Sequence, residues 1–345
     1  MALKPSGKKP VVGIGGFFGY GNYGDELFLE VFQEYLGKDF TLRPLPDMAE
    51  KPYFSRPVED MVKEVDAVLV GGGDLVQPWS MDPRYFHRAY LSKPVFVAGV
   101  GVPIRAKTNT HQTERPDIVE RYKTFFNHPN VKFIHARDQQ SVNWIVEKTS
   151  PKVKVVEAPD IVCALTFPTV TKDPKSKILG IVTRHRPGKE NEDDYSQIEA
   201  LGNKAIKDGY TVHHLILGTG AVGQRDVINA ERVKIPGKKV IYSESLDELS
   251  RAIGRCTALA SMKFHGSVAA TMYGVPSMVL VPTSKNRNFM RRMNREDLLC
   301  VFDSPDLVER FTPFPAPIDP KWVAKLRKDA QALFAQLKAS IHANL

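Results

Sequence analysis

Ser261, Lys263 and His265 recur at every second position directly after the apolar run Ala258-Leu259-Ala260, and Gly266 follows them. The run reads as the end of a buried strand. Gly266 then opens an apolar helix that stops at Gly274-Val275-Pro276. A cation and an imidazole therefore stand where a strand gives way to a helix. In open α/β sheets this is the edge at which ligands bind. The free N–H groups and dipole of a helix N-terminus also favour an anion there. The segment reads as a pocket for a phosphate or carboxylate with a titratable group inside it. The plain alternative is a basic residue and a histidine on an ordinary loop.

Further cations are spaced so as to reach the same edge. Arg184, His185 and Arg186 follow the strand-like run Ile178–Val182. Three cations there are costly unless an anion is bound, and Arg184 is the expected contact; Pro187-Gly188 marks Arg186 as a solvated loop residue. Lys285 and Arg287 sit in a basic loop after another strand, Ser277–Val281, while Arg291 and Arg292 read as surface charge.

The glycine-dense segment Gly13–Glu26 follows the first strand. Its spacing can be forced onto a dinucleotide fingerprint, but Phe17, Phe18 and Tyr20 and the closing Asp25-Glu26 argue against a pyrophosphate. Aromatic faces with Asn22 and carboxylates suit a sugar, whose rings stack and whose hydroxyls need acceptors. Equally, Asn22 or Asp25 can be a simple helix cap. Gly71-Gly72-Gly73-Asp74 lets backbone approach a ligand, with Asp74 either a cap or an acceptor for a sugar hydroxyl. Arg137-Asp138 with Ser141 reads as an ion pair and cap at a strand end, and His135 as a partly buried histidine.

These residues need a frame of parallel strands. Val11–Gly15, Asp66–Val70, Val95–Val100, Val131–His135 and Val153–Val156 are apolar runs separated by helical segments, the pattern of a parallel sheet covered on both faces. A polar, proline-bearing stretch lies between Cys163 and Ser176. A second series follows with strands at Ile178–Val182, Thr211–Leu217, Val240–Tyr242, Ala258–Ala260 and Ser277–Val281. The reading is two Rossmann-like, doubly wound domains facing a cleft, over 1–165 and 176–319. An amphipathic helix over 320–345 is expected to cross back onto the first domain.

The chain has 345 residues and a formal net charge of +9, which favours anionic partners. No zinc-finger spacing or RNP-like aromatic motif is present, so no nucleic-acid partner is expected. Three scattered cysteines suggest a reducing compartment and no disulfide framework. No run is long and apolar enough for a transmembrane helix or a signal-peptide core. A cytoplasmic protein is expected, with peripheral contact at the inner membrane face left open by its basic surface.

The ordered set Gly21-Asn22-Tyr23-Gly24-Asp25-Glu26, Gly71-Gly72-Gly73-Asp74, Arg137-Asp138-x-x-Ser141, Pro159-Asp160, Ser261-x-Lys263-x-His265-Gly266 and Gly274-Val275-Pro276 resembles the polysaccharide pyruvyl transferase family. One departure is Lys263, where that family usually carries arginine; lysine keeps the charge but loses the bidentate fork. The resemblance implies a GT-B-like fold and transfer of pyruvate from phosphoenolpyruvate onto two hydroxyls of a glycan sugar, in a lipid-linked repeat unit, a nucleotide sugar or a finished polymer, in exopolysaccharide or cell-wall polysaccharide synthesis. By resemblance the second domain binds the donor, through Arg184, Lys263, Phe264, His265, Gly266 and Lys285. The first binds the acceptor, through Tyr20, Asn22, Asp25, Glu26 and Asp74. His265 is the expected acid and Asp25, Glu26 or Asp74 the expected base. The chemistry calls for no metal or cofactor. The competing readings are a GT-B glycosyltransferase using a nucleotide sugar and an inactive homologue that only binds phosphoenolpyruvate or glycan. Oligomeric state is not legible.

Overall fold

The computed structural model describes residues 8–47, 51–104, 112–185 and 193–345. The chain divides into two compact units. One comprises residues 1–19, 28–165 and 328–345, and the other residues 20–27 and 166–327.

The first unit is built on six parallel strands: β1 (Val11–Gly15), β2 (Thr41–Pro44), β3 (Ala67–Gly73), β4 (Val95–Val100), β5 (Val131–Ala136) and β6 (Val155–Glu157). Their order across the sheet is β2-β1-β3-β4-β5-β6. Every residue of β3 and of β4 is buried, as befits central strands covered on both faces. β2 lies at the edge, mostly exposed, and its Thr-Leu-Arg-Pro sequence has no apolar run. The helices are α1 (Tyr23–Leu36), α2 (Val58–Lys63), α3 (Pro116–Phe126) and α4 (Gln139–Thr149).

The second unit has five parallel strands: β7 (Ile178–Val182), β8 (Thr211–Leu215), β9 (Lys239–Ile241), β10 (Ala258–Ser261) and β11 (Ser277–Val279). Their order is β11-β10-β7-β8-β9. The chain moves outward from β7 through β8 and β9, then returns to place β10 on the other side of β7. This is the Rossmann order, and its topological switch point lies between β7 and β10. The helices are α5 (Ser196–Lys207), α6 (Gly220–Glu231), α7 (Leu246–Arg255), α8 (Phe264–Met272), α9 (Ser284–Arg292), α10 (Leu307–Arg310) and α11 (Pro320–Asn344). The segment read as a basic loop after β11 is therefore helical. Asn286, Phe289 and Met290 form its buried face at helical spacing.

Two helices divide between the units. The first turn of α1, with Tyr23 and Leu27 buried, groups with the second unit. The rest, with Phe28, Val31 and Phe32 buried, belongs to the first. The last part of α11, from Lys328, packs within the first unit. There Phe334 stacks on Tyr35 at 4.5 Å between ring centroids, and Lys338 pairs with Asp39 at 3.0 Å. Among the described residues no helix is long and apolar enough to cross a membrane.

Candidate functional site

The carboxyl ends of β7 and β10 flank the switch point of the second sheet. Thr183, Arg184 and His185 follow β7; Met262 and Lys263 follow β10. The turn after β10 is closed by Ser261, whose Oγ accepts the Lys263 N–H at 3.1 Å and donates to the Lys263 carbonyl at 2.8 Å. Gly266 is required in the first turn of α8: a Cβ there would lie 2.7 Å from Ser261 Oγ and 2.8 Å from Leu217 Cδ1. The N–H groups of Phe264, His265 and Gly266 precede the first helical bond, which Ser267 makes to the Lys263 carbonyl at 3.4 Å.

The Lys263 side chain is largely buried, at 13% exposed, and its charge is matched. Nζ donates to the Leu217 carbonyl at 2.7 Å and to Asp226 Oδ2 at 2.5 Å. Burial pushes its pKa below the usual lysine range; the nearby carboxylates of Asp226 and Asp25 oppose that, and Arg184 adds to it. Asp226 comes from α6, which no apolar periodicity announced. The buried face of that helix is Gly223, Asp226, Asn229 and Ala230, correct in spacing but small and polar.

Behind Arg184, Thr183 sits in a buried polar network. Its Oγ1 accepts from Asn229 Nδ2 at 3.0 Å and meets His214 Nε2 at 3.0 Å. Tyr195 OH reaches Asn229 Oδ1 and Asp193 Oδ2, both at 3.2 Å. Burial lowers the His214 pKa to about 3, so the ring stays neutral. Arg186 lies outside the described residues.

His265 stands against the first turn of α1. A Cβ on Gly24 would lie 2.6 Å from His265 Cβ, and closer still to Cγ and Nδ1. The imidazole thus occupies the space that any other residue at position 24 would fill. On its other side His265 meets Phe264 edge to face, with centroids 5.0 Å apart. Lys285, on α9, lies 5.5 Å from the centre of the Phe264 ring. Arg287 is exposed, and Arg291 is a surface residue paired with Glu296 at 3.0 Å.

The segment that carries Tyr20, Asn22, Asp25 and Glu26 belongs to the second unit, together with His265 and Lys263. It is a tightly bonded helix start. The Asn22 carbonyl accepts the Asp25 and Glu26 N–H groups at 2.9 and 3.1 Å. Asn22 Nδ2 donates to Asp25 Oδ2 at 2.5 Å, and Glu26 Oε1 accepts the Gly21 N–H at 3.0 Å. Thr219 N–H bonds the Gly21 carbonyl at 2.7 Å, fastening the loop after β8 to this segment. Tyr23 OH donates to Ser250 Oγ at 2.7 Å, since Ser250 Oγ itself donates to the Leu246 carbonyl.

Asp74 lies in the first unit, after the positive-φ glycines Gly72 and Gly73. Its side chain is 25% exposed and pairs with Arg137, which also stands 3.6 Å from Asp160. Burial disfavours the Arg137 charge, but Asp74, Asp160 and Asp138 outweigh it and hold its pKa above the ordinary range. Arg137 thus pairs across to Asp74 and Asp160, while its neighbour Asp138 caps α4 by accepting the Ser141 N–H at 2.8 Å. His135 is completely buried rather than partly so. Its Nδ1 accepts the Gly99 N–H at 2.9 Å, so Nε2 carries the proton and donates to the Ala158 carbonyl at 3.2 Å. Removing the guanidinium takes the cation away from two carboxylates, one of them buried. Arg137→Met is therefore expected to lose about 3–5 kcal/mol of stability, read as a lowered urea midpoint.

Fold and site together define an α/β protein of two Rossmann-like units, one with a lysine–aspartate pair, an arginine and an imidazole at its switch point. Solved structures share this fold along nearly the whole chain. A putative UDP-N-acetylglucosamine 2-epimerase from Listeria monocytogenes is 12% identical, with a TM-score of 0.58 over 97% of each chain. The UDP-GlcNAc 2-epimerase from Neisseria meningitidis, solved with UDP-GlcNAc, is 13% identical at the same TM-score of 0.58, over 95% of this chain and 99% of that one. The UDP-GlcNAc 2-epimerase of Methanocaldococcus jannaschii is 11% identical at TM-score 0.58, again over 95% and 99%. No curated protein matches the sequence. The family model described as "Polysaccharide pyruvyl transferase" matches residues 22–284, and the chain belongs to this family.

Proposed function

We propose that the protein transfers the pyruvyl group of phosphoenolpyruvate onto two hydroxyls of a glycan sugar, forming a cyclic ketal and releasing phosphate. The observation that carries this reading is the gathering, within one unit, of Arg184, Lys263 and His265 at a Rossmann switch point with the Asn22–Glu26 segment beside them.

The chemistry needs an acid and a base but no change of oxidation state. A proton adds to the methylene carbon of the enol phosphate, and an oxocarbenium-like centre forms at C2. The first sugar hydroxyl attacks it and gives up its proton. The C2–O bond to phosphate then breaks, and the second hydroxyl attacks the cation that results. Two hydroxyl protons are lost, one appearing in the new methyl group and one on the departing phosphate. A group that both gives and takes protons near neutrality meets this requirement, and an imidazole does so. In this reading His265 carries the proton. Arg184, Lys263, Lys285 and the first turn of α8 at Phe264–Gly266 hold the carboxylate and phosphate. Asp25 or Glu26 takes the proton of the acceptor hydroxyl, and Tyr20 and Asn22 touch the acceptor.

Phosphate release from phosphoenolpyruvate is the direct test, run over a panel of free, nucleotide-linked and lipid-linked glycans with mass spectrometry of the product. A gain of one pyruvic acid less one water, the mass added by a ketal, is expected for one acceptor class. Phosphate release with no such product, or turnover of a nucleotide sugar instead, overturns the reading. Lys263→Ala is expected to raise the KM for phosphoenolpyruvate at least about tenfold, the scale of one lost charge-assisted hydrogen bond. An unchanged KM would remove Lys263 from the donor site.

A further inference from the structure

Lys263 is a cation whose partners are fully accounted for. Two of its three N–H groups go to the Leu217 carbonyl and to Asp226 Oδ2. The third has no partner among the described residues. The other oxygen of Asp226 accepts the His185 N–H at 2.9 Å. A single buried carboxylate, with 4% of its side chain exposed, thus binds both strand ends at the switch point. It holds the β10 side through Lys263 and the β7 side through His185, the residue after Arg184.

We propose that Asp226 is a positioning residue for the donor: it leaves Lys263 one N–H for an anionic ligand and fixes the turn that carries Arg184. This rests on the reading of the site given above. Only a carboxylate fits the task. An amide has one oxygen, so an asparagine in its place could accept from Lys263 or from His185 but would present N–H to N–H at the other. Because Lys263 is matched by Asp226, it brings direction to the donor site more than net charge.

The test is donor affinity by calorimetry in two backgrounds, with phosphoenolpyruvate and, in parallel, inorganic phosphate. In the otherwise intact protein, Asp226→Asn is expected to weaken phosphoenolpyruvate binding about tenfold, the scale of one hydrogen bond to a charged group. In a Lys263→Met background Asp226 is an unmatched negative charge beside an anion site. There the same Asp226→Asn change is expected to strengthen binding. A residue that only supports the fold would weaken binding in both backgrounds, so absence of this reversal overturns the proposal, as does wild-type affinity in Asp226→Asn. Should Asp226→Asn not fold alone, the comparison in the Lys263→Met background decides by itself. If the intact protein binds phosphate but not phosphoenolpyruvate, the donor reading falls, and Asp226 is judged on phosphate by the same reversal. If it binds neither, both fall.

Discussion

His265→Ala is expected to lower kcat by about 10²–10⁴-fold, the range for loss of a positioned general acid, while the fold is retained. The side chain is buried where β10 gives way to α8, and its imidazole is set between the first turn of α1 and the Phe264 ring. The proposed reaction needs a group that delivers a proton to the methylene carbon, and that is the role His265 has in it. Steady-state phosphate release measures the loss. A solvent deuterium isotope effect on kcat that is larger in the variant than in the intact protein shows that a proton-transfer step has become rate-limiting. The KM for phosphoenolpyruvate should change much less than kcat, because Arg184 and Lys263 remain. Turnover within a few-fold of the intact protein would take His265 out of the chemistry.

The parts of this molecule legible in the sequence are those where burial is apolar. β3, β4 and β7 are buried at every residue, and their runs of apolar residues and glycine, with no polar side chain among them, mark them as central strands of parallel sheets. β2 is an exposed edge, and nothing in Thr41–Pro44 separates it from a loop. α6 fails for a different reason: Gly223, Asp226, Asn229 and Ala230 do repeat at helical spacing, but no hydropathy pattern registers glycine, aspartate and asparagine as a buried face. The same blindness hid Asp226. A carboxylate is read from sequence as solvated by default, and its partner Lys263 lies 37 residues away. Arg137 shows the limit again. Its neighbour Asp138 is the obvious ionic partner, yet Asp138 is spent on a helix cap and the guanidinium pairs with Asp74 and Asp160.

The candidate site was legible where a residue type is tied to its place in a βα unit. Lys263 and His265 follow β10 because the strand ends at Ser261, and Arg184 follows β7 because that strand ends at Val182. What spacing could not give is the strand order. Adjacency of β7 and β10 depends on the chain returning across the sheet after β9, and that crossover brings Arg184 and Lys263 to one edge. Sequence also could not show that the Asn22–Glu26 turn belongs with this edge, since it sits at the start of a helix whose remainder lies in the first unit.

Gly24→Ala is the second substitution expected to have a large effect, and it reaches His265 without touching it chemically. Gly24 has ordinary helical backbone, so the glycine is not there for a positive φ. It is there for space. The added Cβ would stand 2.6 Å from His265 Cβ and nearer to the ring atoms, so no rotation of a flexible tip relieves the contact. Either the imidazole leaves its position or the start of α1 moves. Overpacking of this kind costs about 1–3 kcal/mol, and displacing a catalytic group by about an ångström costs about a hundredfold in rate. A loss of about 10²-fold in kcat is therefore expected, with a lowered melting temperature. The decisive comparison is with the double substitution. In a His265→Ala protein the ring that collides is gone, so adding Gly24→Ala should cost almost no further stability and almost no further rate. Equal losses in both backgrounds would mean that Gly24 serves the turn at Asn22–Glu26 alone and that the imidazole owes its position to α8.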